Sequence, residues 1–122
     1  MFAPVTSPFR PARAVHVEGV MMATFLKQVK KWVARYPADA IIVALDELAA
    51  AMKDVASSRG VGVGRFAMPR EIAGHLHMQP GIRKLIGRLE DQRHAAVSAP
   101  GSITTAMASN FIHKVEALMT VL

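Results

Sequence analysis

The protein is a chain of 122 residues, of which 52% are hydrophobic and 6% aromatic, with a formal net charge of +6. This length fits one domain, and a core built from Ala, Val, Ile, Leu and Met favours packed helices over a β-sandwich. The chain contains no cysteine, which excludes disulfides and thiolate chemistry and fits a cytoplasmic location. Its longest apolar run, 40–45, is too short to cross a bilayer, so we expect no membrane partner, and no secretory signal pattern is evident.

Positive charge is concentrated in residues 1–38 and 59–93, which flank a net acidic segment, 39–58. A basic surface attracts phosphate and accelerates encounter with nucleic acid. It attracts acidic proteins and lipids as well. Charge alone therefore does not distinguish nucleic acid from other acidic partners.

The N-terminal third of the chain divides into an arm and a helix. Residues 1–19 contain three prolines and no sustained period, which predicts a flexible N-terminal arm before a single helical domain, 20–122. Over residues 22–36 apolar side chains recur every three or four positions, while lysines and an arginine occupy the remainder. This pattern predicts a first helix, ended by Pro37.

A second helix, DAIIVALDELAAAMKDVASS, is predicted from Asp39, which suits the N-cap position. Because apolar residues surround most of its circumference, it should be the central, most buried helix. The next segment, RGVGVGRFA, predicts a flexible turn and a brief strand at 65–67. Its glycines are not followed by the Lys and Ser or Thr of a phosphate-binding loop, so we interpret it as a linker.

Residues 69–92, PREIAGHLHMQPGIRKLIGRLEDQ, predict two short amphipathic helices that meet at a corner. Pro69 suits the first turn of a helix. The predicted apolar face of this helix is Ile72, Ala73 and Leu76. The second helix has its own apolar face, formed by Ile82, Leu85, Ile86 and Leu89.

The segment 71–92 resembles the helix-turn-helix of winged-helix transcriptional regulators. It has a Glu-Ile-Ala opening, Leu76 three residues later, an apolar residue at Met78, and IRKLIGRLED in the place of a recognition helix. It departs from the pattern at His77, where such motifs prefer Gly in a left-handed backbone conformation, and its turn is one residue shorter. The resemblance implies a mainly α fold, a winged helix-turn-helix-like bundle with a short β-hairpin and a C-terminal dimerisation helix.

By this resemblance the protein is a sequence-specific double-stranded DNA-binding protein, a dimeric transcriptional regulator whose recognition helix, 80–92, lies in the major groove. The implied DNA contacts are Gln79, Arg83 and Lys84 at base edges, Arg88 and Arg93 at phosphates, and Arg70 at the backbone. From the residues alone, these side chains are equally well the solvated face of an amphipathic helix. The alternative function is a small protein-binding modulator, such as a phage- or plasmid-type inhibitor, in which the motif is a scaffold and the lysines of the first helix contact the partner.

Two predictions concern the C-terminal part. The segment HAAVSAPGSITTA, 94–106, has a Pro-Gly corner between two stretches that can extend, which predicts the wing hairpin. A loop that ends at Ser102 as an N-cap is the other interpretation. Residues 107–122 predict a helix with a wide, almost uncharged apolar surface, which must be buried on the core or on a second subunit. We predict a homodimer interface formed by Met107, Phe111, Val115 and Leu118.

Residues suited to catalysis are sparse. No serine has an evident base partner, and no carboxylates are paired for acid–base chemistry, so we expect neither an enzyme nor a cofactor. His75 and His77 are two residues apart, which places them on different faces of a helix. We therefore predict no metal site.

Overall fold

Five α-helices and a short 3-10 turn form the part of the chain that the structure describes. The computed structural model describes the backbone of residues 18–122 and the side chains of residues 25–122. The helices are α1 (Glu18–Trp32), α2 (Pro37–Ser58), α3 (Pro69–His75), α4 (Pro80–Ser98) and α5 (Thr105–Thr120), with the 3-10 turn at Pro100–Ser102. The prediction of a mainly α fold is confirmed. The predicted arm, 1–19, lies outside the described residues except for its last two, which begin α1.

The second helix lies at the centre of the fold, as its apolar sequence predicts. α2 packs against α1, α3, α4 and α5. Its Ile41, Leu48 and Met52 side chains are fully buried, and each stabilises the folded state by about 1.5–3 kcal/mol relative to exposure. Among residues 18–122, no helix combines the length and low charge that a membrane span needs.

The start of α2 differs from the prediction. Tyr36 is the residue that caps the helix and Pro37 is its first helical residue, while Asp39 lies within the first turn. Proline is favoured at this position because the N–H that it lacks has no partner in a helix. Asp39 still stabilises the helix end, since its carboxylate lies near the positive end of the helix dipole.

The predicted wing hairpin at 94–106 is wrong, and none of residues 18–122 forms a β-strand. α4 continues through Ser98 because Ala96, seven residues after Leu89, extends its buried face. The Pro-Gly corner is the 3-10 turn, which Ser102 supports by donating its hydroxyl to the Ala99 carbonyl at 2.7 Å. The N-cap of α5 is therefore not Ser102 but Thr104, whose Oγ1 accepts the Met107 N–H at 3.1 Å.

The brief strand predicted at 65–67 is also wrong. Residues 65 and 66 form a turn, which the Ala67 N–H closes by donating to the Gly64 carbonyl at 3.1 Å. So short a segment cannot form the hydrogen-bond ladder of a β-sheet without a second strand to pair with. The segment instead leads directly into α3, whose first residue is Pro69.

The corner between α3 and α4 confirms the left-handed position that the sequence indicates. His77 has a φ of 55°, and the N–H groups of His77 and Met78 donate to the carbonyls of Gly74 and Ala73. This pair of bonds is the Schellman arrangement that ends many helices. α2 ends in the same way, with Gly60 at a φ of 71° in the equivalent position.

Replacing His77 with Gly should therefore stabilise the protein. A side chain in the left-handed region is disfavoured by roughly 1–2 kcal/mol relative to glycine, and the greater flexibility of glycine in the unfolded chain offsets part of this gain. We expect the free energy of unfolding to rise by about 0.5–1 kcal/mol in urea denaturation. The reciprocal control, Gly60→His, should lower it by a similar amount. A destabilised His77→Gly variant would contradict this account of the corner.

The last helix is buried by its own chain. α5 packs on α2 and α1, and Phe111, Val115 and Leu118 are all less than 5% exposed in the single chain. The wide apolar face of this helix is therefore covered by the core. Of the four residues predicted to form a dimer interface, Met107 alone is half-buried.

Candidate nucleic-acid interface

The exposed side of the N-terminal half of α4 carries three basic side chains. Arg83, Lys84 and Arg88 are exposed, whereas Ile86 and Leu89 face the core. This division follows from the helical repeat, because residues three and four apart share a face. Gln79, immediately before the helix, is exposed as well and occupies the N-cap position without a side-chain capping bond.

Lys84 and Arg88 form no hydrogen bond or ion pair with any residue that the structure describes. They are four residues apart on one helix, so their charges are neighbours. Like charges at this spacing destabilise a helix by about 0.2–0.5 kcal/mol. Folding therefore gains nothing from this pair of charges, whereas an external anion would be attracted to it.

Arg83 has a partner within the corner. Its Nε donates to the Met78 carbonyl at 2.8 Å, which ties the start of α4 to the turn. A guanidinium has five N–H donors, and this bond uses one. Arg83 is exposed, so its remaining donors are accessible to an external ligand.

Arg70, by contrast, connects α3 to α4. Its backbone N–H donates to Glu90 Oε2 at 2.6 Å, and its guanidinium donates to the Gly87 carbonyl at 3.0 Å and approaches Asp91 Oδ1 at 3.5 Å. A Cβ at Gly87 would lie 3.0 Å from an Arg70 guanidinium nitrogen, so a larger residue there would require the Arg70 side chain to shift. Arg70 is thus committed to positioning the two helices.

Arg93 has a comparable structural bond. Its Nε lies 3.2 Å from Asp46 Oδ1, so the pair joins α4 to α2. Of the six DNA contacts predicted from the sequence, Arg83, Lys84 and Arg88 lie on the exposed N-terminal half of α4, and Gln79 immediately precedes it. The other two, Arg70 and Arg93, hold that helix in place.

A shallow, open depression runs along this surface. It is lined by Arg70, Pro80, Arg83, Lys84, Gly87, Arg88 and Asp91. Four cationic groups outnumber the single carboxylate, so the depression is positively charged. Its N–H donors suit phosphate oxygens, and Arg groups also suit the acceptors of guanine.

A second basic surface lies on α1, where Lys27, Lys31 and Arg35, just beyond its end, are exposed. Lys30 on the same helix is paired with Glu116 of α5 at 2.9 Å. α1 packs mainly on α2 and α5, so these exposed basic residues and those of α4 lie on different helices.

Sequence reasoning missed the exposed apolar side chains Phe66, Met68 and Val97, of which Met68 and Val97 line one groove. The signal was available at Phe66, which lies between two turn-forming segments and outside every periodic apolar face. Among the described residues there is no group of three His, Asp or Glu side chains arranged to hold a metal ion.

Comparison with protein-family models, curated proteins and solved structures found no match for the chain.

Proposed function

We propose that the protein binds double-stranded DNA through the exposed N-terminal half of α4, as a helix-turn-helix without a wing. The observation that supports this proposal is the pair Lys84 and Arg88, whose adjacent positive charges have no partner among the described residues. Phosphates would remove the repulsion between them, and counterion release from DNA would favour the complex.

The roles follow from position along α4. Gln79 and Arg83 stand at the N-terminal end, which in a helix-turn-helix approaches the base edges of the major groove. Arg83 can pair with guanine, and Gln79 with adenine. Lys84 and Arg88 lie farther along the exposed face and would bind phosphates, which fix the register of the helix. Sequence-specific recognition and transcriptional regulation would then depend on the first two residues.

The fold supports this arrangement by fixing α4. Arg70 connects α3 to α4 at three points, and the Arg93–Asp46 pair connects α4 to α2. A helix held at its middle and near its C-terminal end presents its N-terminal half in one orientation. Such pre-organisation reduces the conformational entropy lost on binding.

Salt dependence of binding to duplex DNA tests the proposal. If Lys84 and Arg88 each neutralise a phosphate, log affinity should fall against log salt with a slope of about −1.8 for each bound chain. Affinity should then be about 12-fold weaker at 200 mM than at 50 mM salt. Fluorescence anisotropy with a labelled duplex measures it. A duplex that is not bound, or is bound equally at both concentrations, would contradict the proposal.

The second candidate is the protein-binding modulator. The observation in its favour is the separate basic surface of α1, with Lys27, Lys31 and Arg35 exposed. An acidic protein can contact these side chains without using Lys84 and Arg88 of α4. Binding of an acidic protein that requires the lysines of α1 and does not require Lys84 would favour this function.

A further inference from the structure

Of the three exposed cations on the N-terminal half of α4, only Arg83 is bonded within the part of the chain that the structure describes. Its Nε donates to the Met78 carbonyl at 2.8 Å, across the corner between α3 and α4. Lys84 and Arg88 have no partner among residues 25–122. All three line the same open depression, so the bonded guanidinium lies on the surface that the two free cations share.

The corner holds the Met78 carbonyl in place. The Met78 N–H donates to the Ala73 carbonyl at 3.1 Å, and His77 before it has the left-handed φ of 55°. The Met78 side chain is half-buried against the hydrophobic core. The backbone of Arg83 is fixed as well, since its N–H donates to the Gln79 carbonyl at 3.0 Å. The Arg83 side chain is therefore held both at its backbone and at its Nε.

The terminal nitrogens of Arg83, Nη1 and Nη2, remain for an external ligand. Within residues 25–122 neither of them bonds to a protein group, and the side chain is exposed. Because a guanidinium is planar, the parallel N–H groups of Nη1 and Nη2 form a fork of two donors at a fixed spacing. Such a fork fits a ligand edge that presents two adjacent acceptors.

Among the four bases, guanine alone presents two adjacent acceptors, O6 and N7, in the major groove. Adenine presents one acceptor beside an amino donor, thymine one acceptor beside a methyl group, and cytosine an amino donor. Arg83 is the fourth residue of α4, and the first residues of a recognition helix are those that reach base edges. The donors left on Arg83 thus match guanine better than any other base.

We propose that Arg83, held by the Met78 carbonyl, determines base specificity by selecting duplex sites that carry guanine at one position, an inference that rests on the proposed function. Holding the guanidinium before binding reduces the rotamer entropy lost when it pairs with a base. The Gln79 side chain has no such bond among the described residues. Lys84 and Arg88 are free to follow a phosphate, so they supply affinity that is independent of sequence.

Selection of bound duplexes from a randomised pool, with the full chain, tests the inference. The parent chain should enrich guanine at one position. Replacing that guanine with 7-deazaguanine, which lacks the N7 acceptor, should weaken binding at least about fivefold. Arg83→Lys keeps the charge but has a single nitrogen, which cannot bond to Met78 and also present a planar fork. This variant should bind duplex with the parent's salt dependence and lose the preference for guanine.

The matched control is Arg88→Lys, the same replacement at an arginine without a partner among the described residues. It should enrich the same guanine as the parent chain. Equal enrichment of guanine by Arg83→Lys, or a 7-deazaguanine duplex bound as tightly as the guanine duplex, would overturn the inference and leave duplex binding by α4 intact. A parent chain that binds no duplex would overturn the proposed function and this inference with it. The 7-deazaguanine comparison uses the parent chain, so it decides the question even if Arg83→Lys does not fold.

Discussion

A chain with Val115 replaced by Asp should fail to form a stable fold. Val115 is fully buried on α5, within the core that α5 forms with α2 and α1. An unpaired carboxylate at such a position costs several kcal/mol, and the whole stability of a domain is about 5–15 kcal/mol. Circular dichroism should show a large loss of helical signal or a melting transition lowered by tens of degrees.

The matched control is Ala117→Asp, two residues along the same helix, where the side chain is exposed. It introduces the same charge near the same end of α5 and should change stability by less than about 1 kcal/mol. If Val115 lay in an interface between copies, Val115→Asp would give folded, soluble monomers. Sedimentation and circular dichroism on the same samples distinguish the two results, and folded monomers would show that the core lacks this contact in solution.

The helical repeat predicts much of this fold because it records which side of a helix is buried. The central position of α2 and the apolar face of α4 followed from spacing alone, since an apolar side chain must be covered. The same repeat does not say what covers it. For this reason the face of α5 with Phe111 and Val115 was assigned to a second copy, although α2 and α1 of the same chain bury it.

The wing hairpin was predicted from a Pro-Gly corner and two segments that can extend. Both observations concern a few neighbouring residues and do not include how α4 packs. Alanine and serine near position 96 fit a helix as readily as a strand, and a helix that is already packed extends at little cost because nucleation is complete. Burial of Ala96 then favours further turns of α4. A Pro-Gly pair ends a helix as well as it turns a hairpin.

The sequence predicted which basic residues of the candidate site are exposed, but it did not predict which of them form bonds within the fold. Lys84 and Arg88 are on the exposed face by the helical repeat. The acceptors of Arg70 and Arg93 are Glu90 and Asp46, which lie 20 and 47 residues away in the sequence. Such pairs depend on how the helices pack, so a count of basic residues overestimates the charge available to a ligand.

Reversing both free charges of α4 should eliminate binding to duplex DNA. In the double variant Lys84→Glu, Arg88→Glu, two phosphate contacts are lost and two carboxylates face the DNA backbone. We expect affinity at 100 mM salt to fall at least about 100-fold, which corresponds to nearly 3 kcal/mol. Neither side chain has a partner among the described residues, so the melting temperature should be retained.

The control with the same change in net charge is Lys27→Glu, Lys31→Glu on α1, where both side chains are exposed. Long-range attraction between the chain and DNA is weakened equally in both variants, but at 100 mM salt it is screened beyond about 10 Å. The α1 variant should therefore lose only a few-fold in affinity, whereas the α4 variant loses direct contacts. Equal losses would assign binding to net charge alone. A loss confined to the α1 variant would assign DNA binding to α1 and contradict the proposed interface on α4.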